Sequence, residues 1–265
     1  PGALDRHVEQ RDRVDQVVGQ LLAPRAVREQ PALPVLDRAR AAGEPMPHQR
    51  HHVGFGHVVG NALEQDVLII KVATGGTSLR VAWRSPTAVA KRGGEVGYMW
   101  THMLRTVKHV LDNLGTEFPE YAGRGYEIAG FGWHQGWNDR TEKGVAEYEG
   151  KLADLIKDVR GEFGKDLPFV VANTGIGGSE LAGVGLDLIN AQGAVADFEK
   201  YPNHKGNVAV VDTRPMYRDK SISPSGFGYH WNHNGIALRD RRGDGQGVPA
   251  TCGQVLRQEG RSRRG

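Results

Sequence analysis

Apolar residues along the chain fall alternately into short runs and helical stripes. Val67-Leu68-Ile69-Ile70-Lys71-Val72 is a β-branched run that leads to Gly75-Gly76, which predicts a buried parallel strand followed by a glycine turn. Residues 98–114 set Met99, Met103, Val107, Val110, Leu111 and Leu114 at helical spacing and predict a helix closed by Gly115. Ile128-Ala129-Gly130-Phe131-Gly132-Trp133 reads as a second strand. Residues 145–163 place Val145, Tyr148, Leu152, Leu155, Ile156 and Val159 on one face, with Gly164 as the stop. A third strand spans 169–173, a less regular helical pattern spans 184–200, and a fourth strand spans 208–212. This β-α-β-α-β-α-β order predicts an α/β fold, an open parallel sheet with helices on both faces.

Ligands of such sheets gather beyond the carboxyl ends of the strands. Three segments stand there: Ala73-Thr74-Gly75-Gly76-Thr77-Ser78, Trp133-His134-Gln135-Gly136-Trp137-Asn138-Asp139, and Gly228-Tyr229-His230-Trp231-Asn232-His233-Asn234. The second packs two Trp, a His, a Gln, an Asn and an Asp into seven positions. Indole faces stack on sugar rings, and amides and carboxylates bond hydroxyls. Asn138 could also aim an amide donor at a developing oxyanion from a rigid scaffold. A plainer reading is a polar turn that caps the next helix through Asn138 or Asp139. His230 and His233 read either as a metal pair or as hydrogen-bonded structural residues, but no third ligand has supporting spacing.

Composition narrows the class. The chain has 265 residues, 38% apolar and 25% charged, with a mean hydropathy of -0.48, which suits one large domain or two small ones with a real core. No apolar run approaches the ~18 residues of a membrane span. No signal-peptide pattern opens the chain, although its start at Pro1 leaves room for a targeting segment upstream, so the compartment stays open. Cys252 is the single cysteine, which excludes a disulfide framework and a cysteine zinc site. No cofactor is implied.

The strand-end motifs resemble a known family. Gly136-Trp137-Asn138-Asp139 matches the Gly-x-Asn-Asp block of the SGNH hydrolase superfamily. Trp133-His134-Gln135-Gly136 is similar to the sialate O-acetylesterase-type carbohydrate esterases. Gly54-Phe55-Gly56-His57-Val58, the Gly75-Gly76 turn and the Gly228–Asn234 segment resemble the same group in the same order, over about residues 52–236. The resemblance implies a flavodoxin-like sheet and a serine esterase that deacetylates a carbohydrate, with neither nucleic acid nor membrane as partner. It also implies an oxyanion hole from Gly76, with Gly75 as near rival, and Asn138. His230 is the implied base and His233 the alternate. His134, Gln135, Trp137 and His233 are the implied substrate contacts, and no metal is implied. Phe227 stands where the family often has the triad aspartate; Asp212 and Asp219 lie nearby without distinction.

One element of that pattern is missing. The family carries its serine in a block before residue 52, after a strand that sits in mid-sheet, and this chain has no serine before Ser78. Neither that strand nor the block is legible here. Ser78 and Ser179 sit in turns, where serine commonly bonds backbone. The alternative function is therefore a non-catalytic sugar-binding remnant.

The two ends differ from the middle. Residues 1–50 hold 8 Arg and no Lys and carry +1; residues 51–238 carry -2; residues 239–265 hold 7 Arg and no Lys and carry +4. All 19 aromatic residues, all 10 lysines and every Ile and Asn lie in the middle stretch. A basic nucleic-acid arm usually mixes Lys with Arg and brings aromatics, and a disordered tail is the bland reading. The composition fits best with GC-rich DNA read out of frame at 1–50 and 239–265, around an authentic domain at 51–238. Codons for Arg239-Asp240-Arg241-Arg242-Gly243-Asp244-Gly245-Gln246-Gly247-Val248-Pro249-Ala250-Thr251-Cys252, read one base later, permit Gly-Ile-Gly-Gly-Ala-Met-Gly-Lys-Ala-Cys-Leu-Gln-Leu, an amphipathic helix of the kind the fold needs there. On this reading both ends pack poorly, and the pI of about 9.0 says nothing about partners.

Overall fold

Period-two burial builds the sheet. In the computed structural model, which describes residues 17–24, 59, 67–119, 123, 125–217 and 221, Ile70 and Val72 are buried while Lys71 between them is half-buried. Phe131 and Trp133 repeat the pattern, as do Phe169 and Val171, because successive strand residues point to opposite faces. The strands are β1 (Val17–Pro24), β2 (Leu68–Val72), β3 (Tyr126–His134), β4 (Phe169–Ala172) and β5 (Val208–Val211). They form one sheet in the order β2-β1-β3-β4-β5. β3, β4 and β5 pair in parallel, with Phe131 opposite Phe169 and Phe169 opposite Val208. The Phe131 and Phe169 rings stack with centroids 4.9 Å apart.

β1 corrects the sequence expectation. The first fifty residues hold no strand on that reading, yet Val17–Pro24 is paired on both sides, Val18 opposite Val72 and Val17 opposite His134. Both pairings are antiparallel, so β2 runs in the same direction as β3, β4 and β5, and β1 alone is reversed. The apolar pairs Val17-Val18 and Leu21-Leu22 suit a strand, and Pro24 stands at its last position, where a missing N–H is tolerated. Backbone pairing with the sheet thus reaches into residues 1–50. Residues 239–265 lie outside the described residues.

The helices are α1 (Pro86–Arg92), α2 (Tyr98–Asp112), α3 (Leu114–Glu117), α4 (Glu142–Phe163) and α5 (Val184–Gly193). α2 buries Met99, Trp100, Met103 and Val107. It ends at Asn113, whose Nδ2 donates to the His109 carbonyl at 2.7 Å. The expected stop, Gly115, lies inside α3 instead. α4 buries Tyr148, Leu152, Leu155, Ile156 and Val159, and Gly164 ends it at φ 143°. α5 stops at Gly193, short of the expected 200, and a 3-10 turn follows at Ala194–Ala196. α1 has no counterpart in the sequence reading. It is fixed to α4 where Lys91 Nζ reaches Asp154 at 2.5 Å, Arg92 pairs with the same carboxylate, and Asp158 accepts the Thr87 N–H at 2.7 Å. Asp154 is buried, and two cations offset its desolvation. Among the described residues, no helix is long and apolar enough to cross a membrane.

Candidate active site

β2 and β3 both run antiparallel to β1, so their following segments leave the sheet on the same edge. Gly76 turns in the left-handed region at φ 75°, which favours glycine. A Cβ built on it would lie 3.9 Å from Asn138 Nδ2. The backbone of the β2 turn and the amide after β3 are therefore neighbours. Gly76 is exposed and Asn138 half-buried.

Asp139 ties these two segments together. Its Oδ2 accepts the Leu79 N–H at 2.7 Å and Gln135 Nε2 at 2.7 Å, and its Oδ1 accepts the Arg80 N–H at 3.1 Å. The residue is 1% exposed. Burial pushes its carboxyl up from the ordinary value, while the bonds from Gln135, Leu79 and Arg80 and the charge of Lys151 pull the other way. Neither Asn138 nor Asp139 caps α4; Thr141 does, with its side chain accepting the Gly144 N–H at 3.0 Å.

Behind Asp139 lies a buried polar network. Gln135 Nε2 also donates to the Thr77 carbonyl at 3.2 Å. The Tyr148 hydroxyl lies 2.5 Å from the Gln135 carbonyl and 3.0 Å from Gln135 Oε1, and it accepts Trp133 Nε1 at 3.1 Å. Desolvation drives the Tyr148 phenol well above its usual range. Gln192 Nε2 donates to the Gln135 carbonyl at 2.7 Å and to Thr174 Oγ1 at 3.0 Å, and Gln192 Oε1 accepts the Thr174 N–H at 2.8 Å. Gly136 fits between these groups: a Cβ there would fall 2.2 Å from Thr174 Oγ1 and 2.8 Å from Gln192 Nε2.

The sequence-predicted residues divide accordingly. Gly76 and Asn138 come together. Gln135, expected to contact substrate, is 1% exposed, and its amide and carbonyl both bond within the fold. Trp137 is half-buried, with the Arg140 guanidinium 3.3 Å from its ring centroid. His134 is half-buried at the end of β3. Ser78 Oγ accepts the Val81 N–H at 3.2 Å, and Ser179 Oγ donates to Glu180 at 3.1 Å. Asp212 pairs with Arg214 at 2.7 Å and accepts Asn173 Nδ2 at 3.2 Å; the Arg214 bond holds its carboxyl below the ordinary value. His230, His233, Asp219, Phe227 and the Gly54–Val58 segment lie outside the described residues. Among the described residues, no group of three His, Cys, Asp or Glu side chains is arranged to hold a metal ion.

Sequence reasoning missed Asp139 as a bridge, and Tyr148, Thr174 and Gln192 as its support. Gln192 had one available signal: it follows Leu188 by four residues and so shares the buried face of α5.

An α/β sheet of this strand order, with a glycine turn and an asparagine amide adjoining at its carboxyl edge, is the frame of an SGNH-type hydrolase. The family model described as carbohydrate esterase, sialic acid-specific acetylesterase, matches residues 24–221, and the chain belongs to that family. No curated protein and no solved structure matches it. The matched stretch begins inside residues 1–50 and stops before the Gly228–Asn234 segment.

Proposed function

We propose that this protein carries the acyl-transfer site of a serine-type esterase that removes acetyl groups from a carbohydrate. Family membership supports the reaction class. The observation that carries the site is the approach of Gly76 to the Asn138 amide. In this reading the Gly76 N–H and Asn138 Nδ2 donate to the oxygen that gains charge as the ester carbonyl becomes tetrahedral. Both donors stand on segments locked by Asp139, so little reorganisation accompanies charge development. His230 takes the proton of the attacking hydroxyl and returns it to the departing sugar oxygen, with His233 as alternate. The partner is an acetylated sugar or polysaccharide rather than nucleic acid or membrane.

A second reading rests on the serines. None precedes Ser78, and the Ser78 and Ser179 hydroxyls are engaged in turns. A chain without the nucleophile would bind the sugar and leave the ester intact. Acetate release from p-nitrophenyl acetate and from an O-acetylated sugar separates the two. Turnover that His230→Ala abolishes supports the esterase; sugar binding without turnover supports the remnant.

A further inference from the structure

Arg140 directly follows the Gly136-Trp137-Asn138-Asp139 block and closes its 3-10 turn, donating its backbone N–H to the Trp137 carbonyl at 3.4 Å. Its guanidinium lies over the Trp137 ring. Its Nε is buried and has no hydrogen-bond partner among the described residues. It enters no ion pair among them either. The adjacent carboxylate, Asp139, is already filled by Leu79, Arg80 and Gln135. Desolvation lowers its affinity for a proton.

A guanidinium held partly out of water without a counter-ion is unfavourable unless something supplies one. The indole satisfies the face of the cation but leaves its N–H edge unmatched. That edge fits a carboxylate, which can accept two parallel bonds. The family model is described as sialic acid-specific, and sialic acid is a sugar that carries a carboxylate as well as hydroxyls that can be acylated. We propose that Arg140 is the specificity-determining residue of this site and binds the carboxylate of an acidic sugar while Asn138, two residues earlier, faces the acyl oxygen. The inference rests on the esterase reading for the place of the acyl group, but not for the carboxylate contact.

Calorimetry on the full chain tests it, with N-acetylneuraminate, its methyl ester and neutral N-acetylmannosamine as probes. Wild type is expected to bind the free acid roughly 10–100-fold more tightly than the methyl ester, the range of one charge-assisted contact. Arg140→Gln is expected to bring the acid down to the affinity of the ester and to leave the ester unchanged. Equal affinity of wild type for acid and ester overturns the proposal even if the variant does not fold. So does an equal loss of both ligands in the variant, or the failure of all three to bind. Acetate release is read separately: carboxylate preference without hydrolysis keeps this proposal and removes the esterase, whereas hydrolysis without preference removes this proposal alone.

Discussion

Asp139 Oδ2 accepts the Leu79 backbone N–H at 2.7 Å, across 60 residues of sequence. With Arg80 and Gln135 on the same carboxylate, this contact sets the β2 turn against the β3 turn and so keeps Gly76 beside Asn138. Asp139→Asn keeps one acceptor and turns an NH2 group toward N–H donors. The expected loss is about 1–3 kcal/mol, read as a melting temperature several degrees lower, with sugar turnover falling as well. An unchanged melting temperature would remove the bridge from the account.

Gly136 is needed for space rather than for conformation. Its φ of 170° is open to any residue, but a Cβ would meet Thr174, Gln192 and Leu188. Gly136→Ala should lose about 1–3 kcal/mol through overpacking. Gly115→Ala is the control: nothing lies within 4 Å of a Cβ there, and the change should be neutral or slightly stabilising. Denaturant midpoints of the two variants check the contrast.

His204 predicts a pH dependence. It is buried, its Nδ1 lies 2.7 Å from the Val195 carbonyl, and its ring stacks on Tyr201. Desolvation, with a smaller push from Arg160, lowers its affinity for a proton below the ordinary 6.5 despite the Val195 bond. The unfolded chain therefore binds more protons in the window below 6.5. Stability from this group is full above that pH and is lost as pH falls through the depressed folded value. Thermal melts between pH 7.5 and about pH 5, compared with His204→Gln, should show a slope in wild type that the variant reduces. A histidine proton titration above 6.5 would contradict it.

Most of the scaffold was legible because its signals are local. Ile70 and Val72, Phe131 and Trp133, and the Tyr148–Val159 stripe all declare their burial by period. β1 was not legible, because its place depends on pairing with β2 and β3, which no local pattern encodes. The site divides the same way. Asn138 and Gly76 announce themselves at strand ends, whereas the Asp139 bridge and the Gln192 support depend on partners 57 to 60 residues away. The burial of Gln135 was likewise not legible, because a polar residue at a strand end carries no local sign of the partners that enclose it.

The Arg-rich stretch after residue 238 makes a prediction about the gene. Read one base later, the source DNA should encode a continuous amphipathic helix in place of Arg239–Cys252. A stop codon or a polar string in that frame would end the idea.

The proposed oxyanion role of Gly76 and Asn138 is tested most directly by the rate of acetate release from O-acetylated N-acetylneuraminate, measured for wild type and Asn138→Ala at matched circular dichroism. Wild type should release acetate, and the variant should be slower by about 10²–10³. Equal rates in the two proteins would contradict the account.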